Sequence, residues 1–125
     1  MEFLYKNLTE KIIGYVIEVH KELGPGLLEN VYKQCLIYEF KNAGFDCKSE
    51  IECPVFYKGI NISCGYRIDI LLDDKVILEL KSVEKLLSVH EAQLLTYMKL
   101  VQKRIGLLIN FNEQYVTNGI KRLIL

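Results

Sequence analysis

The chain has 125 residues, enough for one hydrophobic core and too few for two. Half of the residues are hydrophobic and 26% are charged, which excludes a disordered tail, a collagen-like repeat and a highly charged linker. Lys and Arg together number 16, as do Asp and Glu, so no global field draws the chain onto nucleic acid, and any such binding must come from a local patch or a bound cation.

Thr9 is placed to cap a first helix, whose apolar positions Ile12, Ile13, Val16, Ile17 and Leu23 follow helical spacing until Gly24-Pro25-Gly26 stops it. A second helix is expected over 27–43, with Leu28, Val31, Tyr32 and Cys35 at i, i+3, i+4 and i+7 and Gly44 as its stop. The period then changes. Segments 47–57, 60–72 and 75–82 are rich in Ile, Val, Tyr and Phe and are divided by Lys58-Gly59 and Asp73-Asp74, which predicts a three-stranded meander. Ser88-Val89-His90-Glu91 reads as a capping box opening a third helix to about residue 102, with Ala92, Leu95, Met98 and Val101 along it. Strands are expected again at 104–111 and 119–125. The order is α-α-β-β-β-α-β-β, a single mixed domain over 1–125 without repeat or linker.

The cysteines, Cys35, Cys47, Cys53 and Cys64, show no Cys-x-x-Cys spacing and no secretory segment precedes them, so reduced thiols in a cytoplasmic protein are expected. Apolar runs are broken by charge throughout, and no membrane association is expected.

Three places break the local pattern. In Val76-Ile77-Leu78-Glu79-Leu80-Lys81, an aliphatic strand suited to burial on both faces, Glu79 and Lys81 share one face. In the preceding strand Ile62, Cys64, Tyr66, Ile68, Ile70 and Leu72 alternate onto one face, leaving Arg67 and Asp69 on the other. A three-residue turn at Asp73-Asp74-Lys75 pairs Leu72 with Val76, hence Asp69 with Glu79 and Arg67 with Lys81; a two-residue turn separates the acids. Carboxylates facing at that distance repel unless protonated or metal-bound. On the second helix Glu29 falls inside the apolar arc, between Leu36 and Phe40, so it is expected to face inward. On the third, Gln93 and Tyr97 form an i, i+4 pair within reach of the same cleft. Three carboxylates around one point suit Mg²⁺ or Mn²⁺, with Lys81 orienting a water or steadying phosphorane charge.

Asp69, followed ten residues later by Glu79-Leu80-Lys81 on a hairpin flanked by helices, resembles the PD-(D/E)XK nuclease superfamily. The strings GYRIDILL, LELKS and AQLLTYMKL are similar to its RecB-type branch, and Gly26-x-x-Glu29-x-x-Tyr32 resembles the GxxExxY family over nearly the whole chain. One departure is the Cys-Gly-Tyr-Arg-Ile run ahead of Asp69, where the superfamily's name puts proline. The resemblance implies a restriction-endonuclease-like core with a mixed central sheet flanked by helices. It implies Glu29, Asp69 and Glu79 as catalytic acids binding Mg²⁺ or Mn²⁺, Lys81 as the catalytic lysine, and Gln93 and Tyr97 as substrate-positioning residues. The implied activity is metal-dependent hydrolysis of DNA or RNA. The alternative is a non-catalytic nucleic-acid-binding or protein-interaction module on the same fold, and a homodimer is a further expectation for so small a chain.

Other residues have plainer readings. His20 reads as a packed or capping histidine, with a ligand or phosphate contact as the other possibility; His90 is structural or exposed, and Tyr32 packs with its hydroxyl bonded to a neighbour. Residues 1–74 carry 8 basic and 12 acidic side chains and 75–125 carry 8 and 4, so neutrality hides two halves of opposite sign.

Overall fold

In a computed structural model of the chain, which describes residues 4–62 and 65–125, the expected succession of helices and strands is kept but the strands are cut differently. Helices α1 (Lys6–Leu23) and α2 (Glu29–Asn42) lead into β1 (Cys47–Glu52), β2 (Val55–Tyr57), β3 (Ile60–Ile62), β4 (Arg67–Leu72) and β5 (Val76–Lys81). Helix α3 (Ser88–Leu100) then crosses to β6 (Ile105–Asn110), and a 3-10 turn over Val116–Gly119 precedes β7 (Ile120–Ile124). Five strands form one sheet in the order β1-β4-β5-β6-β7, antiparallel except for the parallel β5–β6 pair that α3 connects. This is the mixed sheet flanked by helices expected of a restriction-endonuclease-like core.

The segment expected as one strand over 47–57 divides because Pro54 has no N–H to extend a ladder, and Cys53 turns its own N–H to the Tyr66 carbonyl at 2.9 Å. Strands β2 and β3 consequently pair only with each other, Val55 opposite Ile62, as a hairpin apart from the main sheet. The segment expected over 60–72 is likewise two strands, and Cys64 lies outside the described residues.

Two clusters fill the space on either side of the sheet. Ile70, Leu72, Leu78 and Leu80 pack with Ile12 and Val16 of α1 and with Tyr32, Leu36 and Phe40 of α2. Leu71, Ile77 and Leu108 pack with Leu94, Tyr97 and Met98 of α3. Gly106 lets α3 lie close on β6, since a Cβ there would stand 2.8 Å from the Met98 sulfur. Strict alternation would put Ile68 with Ile70 and Leu72, yet it packs on the α3 side. Opposite this step, the paired residues of β1 skip from Ser49 to Ile51, and Glu50 between them adopts a left-handed φ of 52°. The register is the same on both sides of this step, so the pairing is interrupted at Glu50 and Asp69 without an inserted residue.

Two helix starts also differ from expectation. Thr9 is a buried residue inside α1, its hydroxyl donating to the carbonyls of Tyr5 and Lys6, so the helix begins earlier than a Thr9 cap would allow. Leu87, not Ser88, precedes α3, and the role expected of the Ser88–Glu91 pair falls to His90, whose Nδ1 accepts the Leu87 N–H at 2.9 Å. Among the described residues Cys35 and Cys47 are free thiols, and no helix is long and apolar enough to cross a membrane.

Candidate metal and catalytic site

The β4–β5 turn sets the register of the two strands that carry the acids. Asp73 and Asp74 both take left-handed backbone (φ 51° and 54°), a conformation short polar side chains tolerate, and Lys75 donates its N–H to the Leu72 carbonyl at 2.9 Å. Leu72 therefore pairs with Val76, Leu71 with Ile77 and Ile70 with Leu78, the register on which the pairing of acids depends. One step beyond Ile70 the backbone ladder stops and side chains take over. The Asp69 N–H donates to Glu79 Oε1 at 3.1 Å, while the Leu80 N–H donates to Asp69 Oδ2 at 2.8 Å. The two carboxyl groups thus bridge the strands reciprocally. Arg67 does not meet Lys81 across this gap; it pairs with Glu52 of β1 and is exposed.

Burial pushes the Glu79 carboxyl up to about 8, helped by the neighbouring Asp69 charge and opposed by the backbone hydrogen bond and by Lys81. Burial also raises Asp69, against the Leu80 hydrogen bond and the charge of Lys33. Both acids bind protons more readily than free carboxyls do, because the site withholds water from their charged forms. Tyr97, buried on α3, has its hydroxyl pushed up to about 12, first by burial and next by the Glu79 carboxylate. Its ring is tilted against Tyr66 at 6.1 Å. Gln93 lies half-buried one turn earlier on α3. Lys81, half-buried, faces Asn110 of the parallel neighbour β6 and is close enough to Glu79 to favour its charged form.

Lys33 was not among the residues that the sequence pattern singled out. Its ammonium hydrogen-bonds to Glu50 and stands 3.8 Å from Asp69 Oδ1, with its side chain only 13% exposed. Burial alone would lower its pKa, but the Glu50 hydrogen bond and the charges of Asp69, Glu50 and Glu29 outweigh burial and raise it. The one signal for it in the sequence is its place four residues after Glu29, on the same side of α2. Glu50 has no such signal, since its left-handed backbone is invisible in the residue string.

Glu29 is corrected: it is exposed, not inward. Only Tyr32, Leu36 and Phe40 of α2 are fully covered, and Glu29 begins the helix ahead of that covered stretch. Its charge still reaches Lys33, Asp69 and Glu79. Its height is set by the loop before it. The Tyr32 hydroxyl donates to the Gly24 carbonyl at 2.5 Å and accepts the Leu27 N–H at 3.1 Å, while its ring stacks on Phe111 at 4.3 Å. Ser82, just past β5, donates its hydroxyl to the Leu27 carbonyl at 2.6 Å. The Gly26-x-x-Glu29-x-x-Tyr32 spacing is thus a clamp: Gly24 and Gly26 take left-handed φ in the turn, and Tyr32 ties that turn to the helix carrying Glu29.

Asn110 is a third residue that sequence reading passed over. Fully buried at the end of an otherwise apolar strand, it accepts the Val83 and Asn112 N–H groups through Oδ1 and donates to the Val83 carbonyl, holding the loop that leaves β5 beside Lys81. Its polarity in the run Ile105–Asn110 was the available clue. His20 is buried, and its Nε2 donates to the Glu113 carbonyl at 2.8 Å, the packed role expected of it.

A hard divalent cation takes one or two carboxylates and completes its shell with water and phosphate oxygens, and Asp69 with Glu79 matches that donor set. Each carboxyl commits one oxygen to a backbone amide, which fixes its direction. Among the described residues no three His, Cys, Asp or Glu side chains stand close enough together to hold a metal ion. The expected three-acid centre is therefore not assembled, because Glu29 sits out at the helix start.

A family model described as the PD-(D/E)XK nuclease superfamily matches residues 6–123. No curated protein and no solved structure matches the chain.

Proposed function

The chain belongs to the PD-(D/E)XK nuclease superfamily, whose members generally use divalent metals on nucleic acids, and from that premise we propose that it hydrolyses phosphodiester bonds of DNA or RNA at the Asp69–Glu79 pair. The observation that carries this reading is the break in the β4–β5 ladder, where the buried Glu79 and half-buried Asp69 carboxyl groups, both with raised pKa values, bridge the two strands near Lys81. Structural economy alone does not favour such a pair, since withdrawing a carboxyl group from water costs free energy, whether it stays charged or takes up a proton to avoid it.

Asp69 and Glu79 would hold the cation, Mg²⁺ or Mn²⁺, which when bound would polarise a phosphate oxygen and acidify a water. Lys81 would orient the attacking water and offset negative charge gathering on the phosphate. Glu29, exposed at the start of α2, acts on the site through its charge and through water rather than as a preplaced ligand. Lys33 holds Asp69 Oδ1 toward α2 and lessens the repulsion between Asp69 and Glu50. Tyr97 and Gln93, one turn apart on α3, would position substrate.

The second reading, a non-catalytic module on the nuclease fold, is favoured by one observation: each carboxyl already satisfies a backbone amide and so has a structural use. Labelled single- and double-stranded DNA and RNA incubated with Mn²⁺ separates the two. Hydrolysis that falls at least about a hundredfold in Asp69→Asn and Lys81→Ala supports the nuclease. Hydrolysis unchanged in both variants, or nucleic-acid binding without cleavage under either cation, overturns it.

A further inference from the structure

The apolar spacing of α2 is only half used by the fold. Tyr32, Leu36 and Phe40 form the buried line, but a second line, Leu28, Val31, Cys35 and Tyr38, runs beside it at i, i+3, i+7 and i+10. Leu28 is 77% exposed and Tyr38 64%. Helical periodicity of this kind marks burial, yet only Cys35 of this line is partly covered by the core, while Leu28 and Tyr38 stay exposed among the described residues. The C-terminal half of the line, Cys35 and Tyr38, borders a groove of about 450 Å³ between α1 and α2 that is also lined by Val19 and Leu23 of α1. Glu18, Glu22 and Glu39 stand around it, and no Lys, Arg or His is among its lining residues.

We propose that this groove binds an amphipathic helix of another protein, one that carries Lys or Arg beside its apolar stripe. An exposed stripe at heptad-like spacing, a groove with room for several apolar side chains and a rim of one sign are the parts of helix-in-groove recognition. The acidic rim selects the partner. A second copy of the chain would bring the same three glutamates against their counterparts, which like-charge repulsion opposes, whereas cationic flanks pair with them. The groove shares no lining residue with the Asp69–Glu79 site, so occupancy and hydrolysis are separable.

The probe is a fluorescein-labelled synthetic Leu/Lys amphipathic helix, compared with a Leu/Glu helix of the same apolar pattern, titrated with the full chain and followed by anisotropy. The Leu/Lys helix binds, more weakly as salt rises, and the Leu/Glu helix does not. Binding weakens at least about tenfold in the Glu18→Gln, Glu22→Gln, Glu39→Gln triple variant and in Tyr38→Ser, and is unchanged in a Glu10→Gln, Glu84→Gln control. Amide shift changes gather on α1 and α2. Absence of binding, equal binding of both helices, or binding indifferent to the groove variants overturns the proposal. So does a doubling of mass in sedimentation that Tyr38→Ser abolishes, which would give the groove to a second copy.

Discussion

At its turn the β4–β5 hairpin pairs Leu72 with Val76 and Ile70 with Leu78, four side chains wholly withdrawn from water; one residue further, Asp69 and Glu79 stand where the ladder has given way to side-chain bonds. The two ends share one register, yet one is built for cohesion and the other holds charge in a place where charge is costly. The turn that aligns the apolar pairs also aligns the acids, so stability and chemistry are set by the same backbone choice at Asp73 and Asp74.

Substitutions at the two ends should therefore differ in kind. Leu78→Ala opens a cavity between β5 and the α1–α2 layer and is expected to cost about 2–5 kcal/mol of unfolding free energy, read from the urea midpoint. Asp69→Asn is expected to change stability by less than about 1 kcal/mol, because the amide oxygen still accepts the Leu80 N–H and the loss of the Lys33 ion pair is offset by removal of a half-buried charge. Equal losses at both ends would make the acids structural.

A step away, Tyr32→Phe leaves the Gly24 carbonyl and the Leu27 N–H without their shared hydroxyl and is expected to cost about 1–3 kcal/mol. Hydrogen exchange at Leu27 should quicken with it. Unchanged exchange there would mean that the clamp is held by the Ser82 contact instead.

The third difference is pH. The Glu79 carboxyl, raised from 4.5 to about 8, favours its protonated form in the fold, so its contribution to the metal-free chain is fully present below pH 4.5 and lost as pH rises through about 8. Thermal melting should show this fall in the wild-type chain, and Glu79→Gln should flatten it. A wild-type profile level between those values would put Glu79 in contact with more water than the structure shows.

Much of the fold and half of the site were open to reading from the residues, and the remainder escaped for physical causes. The Asp73-Asp74-Lys75 turn and the alternation of Val76–Lys81 carried the register, and with it the meeting of Asp69 and Glu79. The helix wheel misjudged Glu29 because angle alone says nothing of where a neighbouring layer ends, and the sheet covers α2 only from Tyr32 onward. Lys33 and Glu50 escaped because one looks like a solvated face residue and the other depends on a left-handed backbone. Pro54 was a visible break in 47–57 that hydrophobicity overrode.

The most direct test is calorimetric titration of the metal-free chain with Mn²⁺ in buffers of different ionisation enthalpy near pH 7. A divalent cation held by Asp69 and Glu79 must displace the proton that Glu79 carries there, so binding is expected to release about one proton. Both the heat and the release should vanish in the Asp69→Asn, Glu79→Gln double variant. Binding that persists in that variant, or no binding by a folded wild-type chain, would contradict the assignment of this pair as the metal site.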